Sequence, residues 1–230
     1  MAKKVYISPS NQNFNVYATG NTNEREQCHR IAKYCVDFLK RQGFNVMCTY
    51  DDDMYKRVNE SNAFGADMHV AIHTNATAKH NITGGTQILL YSVDGERKKA
   101  GQAVYDRLAP LTPGKSAERL IAKPGFYECK AANGLTIYVE AEFHDTKEGS
   151  DFIIKNTKEI GEAIAKGICD YYGVTQKPVT PENNDGAKED VLYVVQTGAF
   201  SKYENAQKHL EDLKSKGFKD AFIATKKKGV

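Results

Sequence analysis

The sequence predicts an α/β protein: a mixed, mainly parallel sheet flanked by helices, then a polar linker and a small βαβ module. Three observations carry this. Strand-like and helix-like segments alternate over residues 1–173, the pattern that puts a mostly parallel sheet between helices. The alternation stops between Val174 and Asp190, a polar stretch that holds two of the six prolines and has no period. Residues 191–230 then carry one strand–helix–strand pattern of their own.

Taken in order, Lys4 to Ser8 alternates as a first strand, and a helix follows from Asn23 to about Gln42. Asn23 and Glu26 have capping spacing, and Gly43 stands just past the end. "FNVMCTY" is a second strand, "YKRVNESNAFGA" a short helix, "DMHVAIHTN" a third strand and "GGTQILLYS" a fourth. "ERKKAGQAVYDRLAPL" is helical, "LTIYVEAEFHD" is a late strand, and "GSDFIIKNTKEIGEAIAKGICDYYG" is expected as one long closing helix. In the last module, "SKYENAQKHLEDLKSKG" has a Ser201…Glu204 capping box and apolar Ala206, Leu210 and Leu213. About forty residues bury little surface alone.

Composition narrows the function. With 32 basic and 29 acidic residues, the net charge of +3 gives no reason to expect a nucleic-acid partner. No apolar run approaches the roughly 18 residues of a membrane span, so no membrane insertion is expected. "MAKKVYISPS" has positive residues but no apolar stretch behind them, so the chain is expected to be made in the cytoplasm without a signal peptide. Five scattered cysteines without a CxxC pattern are expected as reduced structural thiols.

Chemistry is expected at the carboxyl ends of the strands. His73 ends "HVAIH". Glu140, Glu142 and His144 recur every second residue, which would point all three to one face of a strand. Glu24 lies in helical register with Cys28, Ile31, Cys35 and Leu39, a core-facing stripe on which a carboxylate needs a cation or hydrogen bonds. Imidazole plus carboxylate suits zinc, with a further carboxylate as the general base of a hydrolase. The plainer alternatives are a Glu24 that favours the helix dipole and a His73 that is a hydrogen-bonded structural histidine.

Several ordered motifs resemble the zinc-dependent N-acetylmuramoyl-L-alanine amidases of the Amidase_3 type, over roughly residues 3–173. "HVAIHTNA" matches the family's "hxhSIHxNA", "IYVEAEF" its "hhVExxF", and "GNTNEREQCHRIA" its first-helix glutamate; "FGADMHVAIH" has the spacing of "ANxxxADhhhSIH". The resemblance implies zinc held by Glu24 and His73, with Glu140 as catalytic base. Glu142, His144 and Asn75 are candidate substrate contacts. The departure is "SPSNQN", where the family usually has "DPGHGG". Asn11 stands at the histidine position with Gln12 next to it, so the alternatives are an amide oxygen or a water in the third position, a substitute such as His144, Cys28 or His80, or a site that binds zinc poorly.

The implied activity is hydrolysis of the amide between N-acetylmuramic acid and L-alanine of the peptidoglycan stem. The competing readings are a non-catalytic peptidoglycan-binding protein on a decayed amidase fold and a zinc peptidase cutting within the stem. "YVVQTGAFSKYENAQKHLEDLKSKGF" resembles the opening half of a SPOR module, which implies a glycan partner. Its second half is missing from the pattern, leaving three alternatives: a vestige, a short variant, or a module completed by a second copy of the chain as a homodimer. The missing signal peptide suits an enzyme released in a phage endolysin-like lysis.

Overall fold

The computed structural model describes residues 2–77, 84–115, 119–176, 197–219 and 221–223. These residues fall in two compact units, Met1–Val179 and Thr180–Val230. In the first unit, six strands form one sheet: β1 (Lys4–Pro9), β2 (Asn45–Cys48), β3 (Met68–Asn75), β4 (Gln87–Leu90), β5 (Leu120–Ala122) and β6 (Leu135–Phe143). Their order is β2-β1-β3-β6-β4-β5. Every pairing is parallel except β4 against β6, so the sheet is mixed and mainly parallel.

Strand alternation decides the two faces. Val5 and Ile7, Val70 and Ile72, and Ile137 and Val139 enter the main core. They meet Ile31, Cys35 and Leu39 of α1 (Glu24–Arg41), Val104 and Leu108 of α3 (Gly95–Leu108), and Ile160, Ile164 and Ile168 of α6 (Thr157–Tyr171). Burying a side chain of this size contributes about 1.5–3 kcal/mol. The helices approach closely because α6 carries Gly161 and Gly167 at the crossings. A Cβ at Gly161 would stand 2.4 Å from the Ile31 carbonyl oxygen, and one at Gly167 2.4 Å from Val104 Cα. The opposite face is thinner: Cys129 of α4 (Tyr127–Ala131) packs with Ala71, Leu89 and Tyr138 of the sheet, and α2 (Met54–Phe64) lies against β1 and α4.

Local chemistry sets the helix ends. The Asn23 side chain accepts from Glu26 N–H to start α1, and Asp53 accepts from Tyr55 and Lys56 N–H to start α2. The expected closing helix is two helices, α5 (Lys147–Lys155) and α6. Asn156, at φ −120° and ψ 27°, leaves helical geometry between them, and its side-chain Nδ2 donates to the Phe152 carbonyl. A side chain that bonds its own preceding turn competes with the backbone ladder. Strand β5 and helix α4 lie in a stretch where the sequence shows no clear period.

In the second unit, α7 spans Tyr203–Ser215 and has no fully buried residue; Ala206, Leu210 and Leu213 are half-buried. The expected Ser201 capping box is not formed, because the helix starts after Lys202, which is extended and has no side-chain cap. Of the strands expected around α7, residues 191–196 of the first lie outside the described residues, whereas residues 218, 219 and 221–223 of the second are described and form no strand. All five cysteines are free thiols. Among the described residues, no helix is long and apolar enough to cross a membrane.

Candidate active site

The parallel register of β3 and β6 sets His73 opposite Glu140 at the carboxyl end of the sheet. The first turn of α1 brings Glu24 to the same place, 99% buried, because its helical register aims it inward. Glu24 Oε1 lies 2.7 Å from His73 Nδ1. The rest of the Glu24 carboxylate is held by Asn15, whose Nδ2 donates to Oε2 at 2.6 Å. Tyr138 stacks on the His73 ring, with centroids 4.3 Å apart.

Burial and charge set the protonation states. Burial lowers the His73 pKa, but Glu128 and Glu24 outweigh it and push the imidazole up to about 9. Burial raises the Glu24 carboxyl, yet hydrogen bonds from His73, Asn15 and Ser10 and the His73 charge bring it below its ordinary value. Glu140 has no comparable support. Burial, with the Glu24 charge added, pushes it up to about 8 against the pull of His73. Its Oε2 is buried without a hydrogen-bond partner among the described residues.

The "SPSNQN" loop builds its part of the site from hydroxyls and amides. Gln12 Nε2 lies 3.3 Å from His73 Nδ1, and Gln12 Oε1 accepts from Asn15 Nδ2 at 2.9 Å. Asn11, at the expected ligand position, instead donates through Nδ2 to the Asp52 carbonyl. Of the two amides, Gln12 is the one that meets the Glu24–His73 pair. Ser8 accepts from Arg57 Nε at 2.9 Å and donates to Glu128 Oε1 at 2.5 Å.

Glu140, Glu142 and His144 do not share one environment. The Glu142 carboxylate is fully buried and accepts from the backbone N–H groups of Gly85, Gly114 and Phe143. It ties two loops to the strand and leaves the Glu24–His73 pair to Glu140. His144 lies beyond the strand, stacks on Tyr17 at 4.9 Å and bonds Thr74 through Nδ1. Asn75 spends its amide on Gln87 Oε1 and on the Ala76 N–H. The alternation rule fails here because the β3–β6 register shifts between His73 and Asn75. His80 lies outside the described residues. Cys28 is fully buried, and burial drives its thiol well above the ordinary range, which keeps it protonated.

One residue of the site was not expected. Glu128, from α4, is 98% buried. Its Oε1 lies 3.1 Å from His69 Nε2, and its Oε2 lies 3.8 Å from His73 Nε2. Burial alone would raise this carboxyl; the two imidazoles beside it hold it well below the usual range. His73 thus has a carboxylate at each ring nitrogen. The sequence signal was weak, because a five-residue helix shows no readable period.

Whether zinc suits this site depends on the donors. Among the described residues, no three histidine, cysteine, aspartate or glutamate side chains are grouped to hold a metal ion. Two donors of the right kind do converge, Glu24 Oε1 and His73 Nδ1, and the Gln12 amide flanks the same nitrogen. The unpartnered Glu140 Oε2 gives a nearby cation a further electrostatic role. Carboxylate and imidazole fit zinc in kind; the Gln12 atom facing them is Nε2, with Oε1 accepting from Asn15, so the amide oxygen would reach a metal only with the side-chain amide turned over, a weaker combination than one with two histidines.

The family profile described as N-acetylmuramoyl-L-alanine amidase matches residues 10–170, and the SPOR domain profile matches residues 188–230. A comparison with curated proteins finds no match to this chain. Among solved structures, the fold is similar to an N-acetylmuramoyl-L-alanine amidase of Nostoc punctiforme, with 20% identity and a TM-score of 0.66 over 74% of this chain and 97% of that one. It is also similar to the catalytic domain of an amidase of that name from Bacillus (Paenibacillus) polymyxa, at 17% identity and a TM-score of 0.66 over 75% and 99% of the two chains. A third, from Clostridium difficile 630, has 23% identity and a TM-score of 0.65 over 75% and 97%. The amidase profile spans most of the chain and takes in Glu24, His73 and Glu140, so this protein belongs to the N-acetylmuramoyl-L-alanine amidase family.

Proposed function

We propose that this chain is a zinc-dependent peptidoglycan amidase in which Glu24, His73 and the Gln12 amide hold the metal and Glu140 carries the proton. The observation that supports this reading most is the contrast inside one cluster. Glu24 is fully bonded to His73 and Asn15, while Glu140, opposite His73 in register, keeps a buried oxygen without a partner. A bound zinc ion supplies Lewis acidity, which makes water nucleophilic near neutral pH.

The chain's own residues supply the rest. Glu140 Oε2, beside His73 in register and without a partner among the described residues, takes the proton of the attacking water and returns it to the nitrogen of the leaving L-alanine. Glu24 fixes the His73 ring at Nδ1, and Glu128, 3.8 Å from Nε2 and beyond hydrogen-bond reach, acts on the ring through its charge. Asn15 holds the Glu24 carboxylate and also donates to Gln12, which lies against the histidine. The SPOR-matched segment gives the chain a second contact with the same polymer.

The experiment is digestion of purified peptidoglycan, with the new amino termini identified before chelation, after chelation and after zinc is restored. L-alanine termini that vanish with the metal and return with zinc are the expected result. Termini at a later stem residue would make the enzyme a peptidase. Release that is insensitive to chelation would remove zinc from the account.

A further inference from the structure

A cleft of about 590 Å³ opens onto His73 and Glu128. Its wall is a chain of aromatic rings that starts at the catalytic histidine. Tyr138 stacks on His73, Phe126 meets the Tyr138 ring edge-on at 5.4 Å, and its neighbour Tyr127 meets Tyr55 edge-on at 4.5 Å. The outer rings are not core residues: Tyr55 is 58% exposed, Phe126 38% and Tyr127 36%. Exposed aromatic side chains gathered on one surface mark a binding site more often than chance.

The charges of the lining say which ligand. Asp52, Asp53 and Glu128 line the cleft, and its cationic groups are Arg57 and the imidazole of His73, which Glu24 and Glu128 already flank. The Arg57 side chain is buried and committed to Ser8 and to the Asp51 carbonyl. Lys123, 6.0 Å over the Phe126 ring, is outside the lining. The cleft therefore disfavours a carboxylate-bearing ligand and suits a neutral one with flat, weakly polar faces.

Resting on the amidase reading, we propose that this aromatic wall is a saccharide subsite. The sugar rings of the glycan strand stack on Tyr55, Phe126 and Tyr127, and the scissile amide lies at His73. The stem peptide, which carries a free carboxylate or its amide one residue beyond the cut, leaves along a different path. Ring C–H groups against aromatic faces supply the contact, and the N-acetyl methyl group adds apolar area.

The test uses the full chain, labelled for amide resonances, so that binding in the cleft is read separately from binding by the C-terminal segment. The probes are the N-acetylglucosaminyl–N-acetylmuramic acid disaccharide, with its lactyl carboxyl capped as the N-methyl amide, and the free stem peptide. The disaccharide is expected to shift the amides of Tyr55, Phe126 and Tyr127, and the peptide is expected to leave them in place. In Tyr55→Ala/Tyr127→Ala, the disaccharide affinity and the KM for peptidoglycan should each worsen about tenfold with kcat kept, the mark of lost uniform binding. Shifts caused by the peptide alone would assign the wall to the stem and overturn the proposal, as would no shift with either probe. Failure of the amidase reading is seen separately, as wild-type chain that releases no L-alanine termini.

Discussion

Two carboxylates two residues apart on β6, the half-buried Glu140 and the fully buried Glu142, have opposite fates. Glu142 accepts three backbone N–H groups and has every reason to stay where it is. Glu140 faces a histidine and a second carboxylate, with one oxygen unpartnered. The histidines repeat the contrast. His144 is settled between Tyr17 and Thr74, and burial keeps its pKa low, whereas His73 is clamped between two carboxylates and raised. Burial alone does not mark a reactive group. A fully satisfied buried carboxylate holds the fold, and one left partly unsatisfied is available for chemistry.

The largest way to break this comparison is at Glu140. Glu140→Gln should lose at least about 100-fold in turnover while the chain still folds and binds metal, as expected for a lost general base. Next is Glu128→Gln, which removes the charge behind His73. Metal affinity or turnover should fall about 10–100-fold, the usual effect of removing a group that orients a ligand, read by competition with a chelator and by product release.

Glu142→Gln should act on stability. Turning an NH2 group toward backbone donors should cost about 1–3 kcal/mol, with Tm lower by about 2–4 °C per kcal/mol at this chain length and kcat unchanged in melting and turnover assays at 25 °C. The same contrast appears in pH dependence. Both Glu140, lifted to about 8, and His73, lifted to about 9, bind more protons folded than unfolded between their ordinary values and the raised ones. Stability of the metal-free chain should therefore fall as pH rises from about 5 to 9. Glu140→Gln should flatten that slope, and melts across the range measure it.

Much of this was legible in the sequence, for physical reasons. Period-two and period-3.6 patterns located β1, β3, β6 and α1, and helical register alone aimed Glu24 at the core. What failed was local. Alternation along "VEAEFH" assumed an unbroken strand pairing, and the register shift after His73 removed Glu142 and His144 from the Glu140 environment. The choice between Asn11 and Gln12 depended on a loop whose amides are placed by tertiary partners, Asp52 for one and His73 for the other. Glu128 was hidden because its importance comes from residues 55 and 59 positions earlier, which no local pattern encodes. Asn156 looked like an ordinary helix residue, yet its side chain bonds the preceding turn and ends α5.

The most direct measurement sets Glu140→Gln beside Glu142→Gln in release of L-alanine amino termini from peptidoglycan, at a temperature where melting shows both variants folded. The account predicts near-complete loss for Glu140→Gln and wild-type turnover for Glu142→Gln. Turnover retained by Glu140→Gln, or lost equally by both, would contradict it.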